Sequence, residues 1–99
     1  MNRSEWITKP NVLLVDVRES YEFEADSLEG SVNIPLSQLG ARIDEITKHD
    51  GPVVLFCRSG NRSGMALAHV NNLGKHDVIN GGGLWEMKMA KIDAEHALK

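Results

Sequence analysis

The chain has few of the residues that define several protein classes. Its 99 residues include one cysteine and three prolines, and only 5% of them are aromatic. A single thiol excludes an internal disulfide and a cysteine-rich zinc site. No stretch approaches the roughly 20 apolar residues of a membrane span, and the polar N-terminus has no apolar segment of signal-peptide length. We therefore expect a cytoplasmic protein, with the proviso that a leader removed earlier would leave no trace in this sequence.

The chain also has fewer basic than acidic residues. The chain has 11 Lys and Arg residues against 14 Asp and Glu residues, for a formal net charge of −3. This balance argues against nucleic acid or a membrane surface as a partner. The charged share of 25% and the hydrophobic share of 41% are typical of globular proteins. At this length there is room for about one domain, so residues 1–99 are expected to form a single domain.

Strand and helix patterns alternate along the chain. The apolar, β-branched runs at residues 12–15 and 53–56 predict buried strands, and weaker strands are predicted at residues 31–34 and 77–80, the last stopped by three glycines. Helices are predicted at residues 19–25, at 38–48 with Ser37 as N-cap, at 65–73 followed by Gly74, and in the tail through Trp85, Met89 and Ile92. The alternation predicts an α/β fold with a small, mainly parallel central sheet flanked by helices on both faces.

Two residues, Asp16 and Cys57, stand at the carboxyl ends of the predicted buried strands, where sites of parallel sheets lie. We interpret Asp16 as structural, a carboxylate that accepts backbone N–H groups near the Cys57 loop. Arg18 is expected to pair with Glu19 or Glu22.

The segment after Cys57 has the features of an anion-binding loop. A strand ends on the cysteine, a turn with Gly60 follows, and a helix begins. Gly60 permits left-handed dihedrals, and Asn61 tolerates them. In such a loop, backbone N–H groups and the helix N-terminus converge on one centre, and Arg58 and Arg62 add positive charge. A thiol there has a lowered pKa and is a candidate nucleophile. The alternative is a buried structural cysteine with two arginines reaching solvent.

Five segments occur in the order that one family shows. They are Asp16-Val17-Arg18-Glu19, Glu22-Phe23, Gly30-Ser31-Val32-Asn33-Ile34-Pro35, Cys57-Arg58-Ser59-Gly60-Asn61-Arg62-Ser63, and Gly82-Gly83 with Trp85. On these segments the chain resembles the rhodanese family of single-domain sulfurtransferases, over about residues 12–90. It departs from the family at Asp26-Ser27-Leu28, where many members have Gly-His-Ile, and at Ser31, where Ala is usual. Its N-terminal stretch is also shorter than usual.

The resemblance implies a rhodanese-like fold and a sulfur-transfer reaction. Cys57 would take the sulfane sulfur of thiosulfate or a similar donor and pass it, as a persulfide, to cyanide or a thiol, including a thiol on another protein. The loop residues implied to bind the donor are Arg58, Ser59, Gly60, Asn61, Arg62 and Ser63. Ser63 has a second interpretation, as a cap of the following helix. No metal or organic cofactor is implied. With no second cysteine in the chain, a partner molecule must discharge the persulfide.

Three other functions fit parts of the pattern. A cysteine phosphatase spaces its Cys and Arg by five residues, whereas four separate Cys57 from Arg62, which suits a single sulfur atom better than a phosphoryl group. An arsenate reductase needs a second cysteine. A rhodanese-like module that only binds a partner commonly lacks the cysteine.

Further polar groups are interpreted as structural. The four histidines match no metal-ligand spacing, so no metal site is predicted. The acidic stretch from Glu22 to Glu29 is interpreted as a solvated face. Residues 81–83, all glycine, are expected to allow close backbone approach beside the site.

Overall fold

Four parallel strands form the centre of the fold. The computed structural model describes residues 2–97. The strands are β1 (Leu13–Asp16), β2 (Val32–Asn33), β3 (Val53–Cys57) and β4 (Val78–Gly83), and they lie side by side in the order β2-β1-β3-β4. β1 pairs in parallel with β2 and β3, and β3 pairs in parallel with β4. The predicted α/β class with a parallel central sheet is confirmed.

Helices cover both faces of this sheet. They are α1 (Arg3–Ile7), α2 (Ser20–Ala25), a 3₁₀ turn (Leu36–Gln38), α3 (Asp44–Thr47), α4 (Asn61–Asn72) and α5 (Leu84–Ala97). Side chains alternate across the fully buried β3: Leu55 and Cys57 join the cluster beneath α4, whereas Phe56 joins the cluster beneath α5. Cys57 therefore belongs to the α4 side of the sheet. Within residues 2–97, no helix is both long and apolar enough to cross a membrane.

The predicted helix at residues 38–48 is wrong. The chain instead forms the 3₁₀ turn, a series of turns through residues 39–43, and the single-turn α3. Gly40 lies within this interval, and glycine in a helix interior costs about 0.5 to 1 kcal/mol relative to alanine. The apolar stripe that suggested a helix is still used, because Leu39 and Ile46 are both buried in the α4-side cluster.

The buried face of α5 also differs from the prediction. Trp85 is 72% exposed, and Met89 and Ile92 are exposed as well. The face that packs inward carries Met87, Ala90 and Ala94, at the i, i+3 and i+7 spacing of a helical stripe. Its two alanines are small enough for α1, a helix that the sequence did not suggest, to pack closely against α5.

β4 runs further than predicted, through all three glycines to Gly83. Leu55 pairs with Asn80 and Phe56 pairs with Gly82, which leaves Gly81 as the extra residue of a β-bulge. A Cβ atom on Gly83 would overlap the carbonyl oxygen of Arg58. Glycine at this position therefore lets β4 lie directly against the loop that follows Cys57.

Candidate active site

Cys57 is the last residue of β3 and is fully buried. The chain passes from this strand into α4 in three residues, because Gly60 takes the left-handed conformation, with φ of +99°, at the N-cap of the helix. The turn directs the Gly60 N–H back at the Cys57 Sγ, at a nitrogen–sulfur distance of 3.0 Å. The left-handed dihedrals predicted for Gly60 are confirmed, and they position a donor for the sulfur.

Several donors converge on the Cys57 sulfur. The Ser63 hydroxyl lies 3.4 Å from Sγ, within hydrogen-bond range for sulfur, beside the Gly60 N–H. Burial alone would raise the pKa of the thiol. The Ser63 hydroxyl and the backbone N–H groups of Ser63, Ser59 and Gly60 outweigh that effect and lower the pKa of Cys57 below its ordinary value. The arrangement therefore stabilises negative charge on sulfur.

Asn80, near the end of β4, holds this loop in place. Its Oδ1 accepts the Gly82 N–H and lies 2.7 Å from the Ser63 Oγ, so it shares the single Ser63 hydroxyl proton with the Cys57 Sγ. The Asn80 Nδ2 donates to the Gly60 carbonyl oxygen at 2.9 Å. Because Oδ1 faces hydrogen-bond donors and Nδ2 faces an acceptor, the orientation of the Asn80 amide is fixed.

Ser63 is the third residue of α4 and points to Cys57 and Asn80, so the helix-cap interpretation of Ser63 is wrong. Asn80 was missed; its place at the carboxyl end of a strand predicted beside the site was the available signal.

The two loop arginines have different surroundings. Both Nη atoms of Arg62 donate to the Glu22 carboxylate, at 2.6 and 3.0 Å. Arg62 lowers the pKa of Glu22 to about 2, and the Glu22 carboxylate in turn raises the pKa of Arg62. Arg58 is exposed and makes no ion pair within residues 2–97. The interpretation of Glu22 as part of a solvated face is wrong, because the Glu22 carboxylate forms a bidentate ion pair with Arg62 of the loop.

The expected partners of Arg18 are also wrong. Asp16 and Arg18 are buried, and the Arg18 guanidinium contacts the Asp16 carboxylate at 2.7 to 3.0 Å and the Asp26 carbonyl oxygen at 2.6 Å. Asp16 also accepts the Arg18 N–H, rather than N–H groups of the Cys57 loop. Glu19 and Glu22 form the capping box of α2, and the Glu22 carboxylate also binds Arg62 instead of Arg18.

A groove of about 520 Å³ opens beside the loop. Its lining combines apolar and charged side chains, from Arg18, Tyr21, Glu22, Ala25, Asp26, Arg58, Leu84 and Trp85. Of the loop residues predicted to bind a donor, Arg58 lines this groove; Ser59 and Asn61 are exposed on the loop itself. In residues 2–97, no group of three or more His, Cys, Asp or Glu side chains is placed to hold a metal ion.

Comparison with known proteins gives consistent matches. Residues 4–87 match the family model described as "Rhodanese-like domain". The chain is 42% identical over 82 residues to uncharacterized protein YqhL of Bacillus subtilis, and 30% identical over 79 residues to thiosulfate sulfurtransferase PspE of Escherichia coli. These matches cover 83% and 79% of this chain, and 64% and 76% of the relatives. The chain thus spans just under two thirds of the length of the Bacillus protein.

A solved structure titled "rhodanese with anions from E. coli" has the same fold. It superposes with a TM-score of 0.69 at 29% sequence identity, covering 76% of this chain and 89% of that one.

Proposed function

Because the chain belongs to the rhodanese-like domain family, we propose that it is a sulfurtransferase that carries sulfane sulfur as a persulfide on Cys57. The proposed donor is thiosulfate or a similar compound, and the proposed acceptors are cyanide or a thiol, including a thiol on another protein. The observation that supports this most strongly is the convergence of the Gly60 N–H and the Ser63 hydroxyl on the Cys57 sulfur.

In the first step the Cys57 thiolate attacks the outer sulfur of thiosulfate. A new sulfur–sulfur bond forms to Cys57, the bond between the two sulfurs of the donor breaks, and sulfite leaves with its electron pair. The donors around Sγ lower the pKa of the attacking thiol and so increase the fraction of Cys57 that is present as the thiolate. Arg58, exposed beside the loop without a carboxylate partner in residues 2–97, is proposed to attract the anionic donor.

The second step removes the sulfur again. The terminal sulfur of the persulfide is negatively charged, and the same converging N–H groups are proposed to stabilise it while an acceptor attacks. The acceptor takes the terminal sulfur, the sulfur–sulfur bond to Cys57 breaks, and the cysteine returns to its thiolate form. Cys57 is the one cysteine of the sequence, so the acceptor is a separate molecule.

The test is the intact mass of the protein after exposure to thiosulfate. We expect the wild-type chain to gain one sulfur atom and to lose it on addition of cyanide or a thiol. Cys57→Ser should gain nothing and lose thiosulfate:cyanide transfer, with an unchanged circular-dichroism spectrum, because the hydroxyl is a far weaker nucleophile than a thiolate at neutral pH.

The same experiment separates the other candidate functions. No mass change in the wild-type chain would favour a module that only binds a partner. Phosphate-ester hydrolysis without sulfur loading would favour a small cysteine phosphatase. Wild-type transfer rates in Cys57→Ser would contradict the persulfide mechanism.

A further inference from the structure

The positive charge near Cys57 is smaller than its arginine content indicates. Arg62 is tied to Glu22 by two short contacts, and Arg18 is tied to Asp16, so each pair has a net charge of zero. Arg58 alone, among the arginines in residues 2–97, makes no ion pair with a carboxylate. The site therefore offers one unpaired guanidinium and the N-terminus of α4, which is equivalent to about half a positive charge.

The negative charge of the donor decides how well it suits this site. When the Cys57 thiolate meets thiosulfate, three negative charges come together, one on Cys57 and two on the donor. An organic thiosulfonate, R–SO₂–S⁻, offers the same reactive outer sulfur with one negative charge. Its reaction brings together two negative charges, which one guanidinium and a helix N-terminus balance more closely.

The groove beside the loop has room for an organic substituent. Tyr21 and Trp85 are 71% and 72% exposed, and together with Ala25 and Leu84 they supply apolar lining next to Arg58. A small inorganic dianion makes no use of such a lining. An apolar group attached to a single negative charge matches both the aromatic side chains and the guanidinium.

We propose that Glu22 sets the charge specificity of the donor site, and that the site prefers organic, singly charged sulfane-sulfur donors to the thiosulfate dianion. This inference rests on the proposed sulfurtransferase function. In the reaction with a thiosulfonate, a bond forms between Cys57 and the outer sulfur, the bond from that sulfur to the sulfonyl group breaks, and a sulfinate leaves with the electron pair. The total charge of the reacting groups is two negative units both before and after the reaction.

The decisive variant is Glu22→Gln, compared at fixed ionic strength with thiosulfate and with benzenethiosulfonate as donors. Glutamine keeps a hydrogen bond to Arg62 but leaves the guanidinium charge unbalanced. Coulomb energy is proportional to charge, so the gain for the dianion should be the square of the gain for the monoanion. We expect kcat/KM to rise about tenfold for thiosulfate and about threefold for benzenethiosulfonate.

Two further variants serve as a control and as an independent test of the Glu22→Gln result. Glu24→Gln, on the same helix but exposed and outside the groove lining, removes the same formal charge and should leave both donors within about twofold of wild type. Arg62→Gln leaves the Glu22 carboxylate unpaired, so it should lower kcat/KM more for thiosulfate than for benzenethiosulfonate. This opposite effect provides a test if Glu22→Gln folds poorly.

The lining of the groove is tested with the wild-type chain and Trp85→Ala. Wild type should have a higher kcat/KM for benzenethiosulfonate than for methanethiosulfonate, and a higher kcat/KM for both than for thiosulfate. Trp85→Ala should lower kcat/KM about threefold for the benzene compound and leave the methane compound nearly unchanged.

The outcomes separate this inference from the proposed function. Absence of the sulfur adduct with every donor would overturn the proposed function itself. Sulfur loading of Cys57 with unaltered donor ratios in Glu22→Gln and Arg62→Gln would overturn only the role of Glu22. A wild-type preference for thiosulfate over both thiosulfonates would overturn the preference for organic donors.

Discussion

The ends of the neighbouring strands β1 and β3 differ in how their polar groups are satisfied. At the end of β1, the buried Asp16 carboxylate and the buried Arg18 guanidinium bind each other, and the Asp26 carbonyl takes a further Arg18 donor. At the end of β3, backbone and hydroxyl donors converge on one sulfur atom, Cys57 Sγ. The first end contains paired opposite charges, and the second contains donors around a group that becomes negative.

This difference explains why chemistry is proposed at one strand end and not at the other. In the Asp16–Arg18 pair the carboxylate already has a partner of full opposite charge, so the pair has little free-energy gain to offer an incoming anion. Around Cys57 the donors are neutral dipoles, which stabilise the thiolate without cancelling it. The sulfur therefore retains its nucleophilic charge while its pKa is lowered.

The largest expected effect comes from disrupting the buried ion pair between Asp16 and Arg18. Asp16→Asn leaves the buried Arg18 guanidinium without a compensating charge and should lower the free energy of unfolding by about 3 to 5 kcal/mol. Urea denaturation measures this change. The control is Asp44→Asn in the exposed Asp44–Lys48 pair, which should change stability by less than about 0.5 kcal/mol. Equal effects of the two substitutions would show that the β1 pair is not a buried stabilising element.

A smaller effect is expected when one donor of the β3 end is removed. Ser63→Ala deletes the hydroxyl next to Sγ and should lower kcat/KM for sulfur transfer about tenfold. This is the lower end of the effect of a hydrogen bond to a charged group, about 1.5 to 3 kcal/mol, because Asn80 Oδ1 shares the Ser63 proton. It should also raise the pKa of Cys57, since that hydroxyl is among the groups that lower it. Ser37→Ala, at an exposed site in the 3₁₀ turn, is the matched control. An unchanged Cys57 pKa in Ser63→Ala would show that the backbone N–H groups suffice.

The smallest effect concerns the exposed cation of the loop. Arg58→Ala should raise the KM for thiosulfate about threefold and leave kcat within about twofold, because it removes a charge that attracts the donor but does not contact the attacking sulfur. Lys48→Ala removes another exposed positive charge, one that is paired with Asp44 and lies outside the groove lining, and serves as the control. An unchanged KM in Arg58→Ala would assign donor binding to Arg62 and the loop amides.

The local parts of this site were predictable from the sequence. β1 and β3 are short apolar runs flanked by turn residues, and Gly60 meets a conformational need set by its immediate neighbours. These features depend on residues close together in the chain. The expectation that Cys57 ends a strand and precedes a helix follows from the same local signals.

The pairings that complete the site depend on residues far apart in the chain. Glu22 and Arg62 are 40 positions apart, and charge patterning gave no reason to prefer this pair over Arg18 with Glu22. Asn80 reaches Gly60 and Ser63 only because β4 lies against the loop through Gly83. The buried face of α5 was likewise decided by packing, because a helix with apolar residues on several faces has no unique stripe.

The central claim, that the donors at the end of β3 stabilise a negatively charged sulfur, is tested most directly by titrating Cys57. The ultraviolet absorbance of the thiolate is followed against pH in the folded chain and in the same chain unfolded in denaturant. We predict a lower midpoint in the folded chain, so that kcat/KM rises as pH rises through that folded pKa and then levels off. By linkage, the shift stabilises the fold above the unfolded pKa, and this contribution is lost as pH falls through the folded pKa. A folded midpoint equal to or above the unfolded one would show that burial dominates, and would contradict the account.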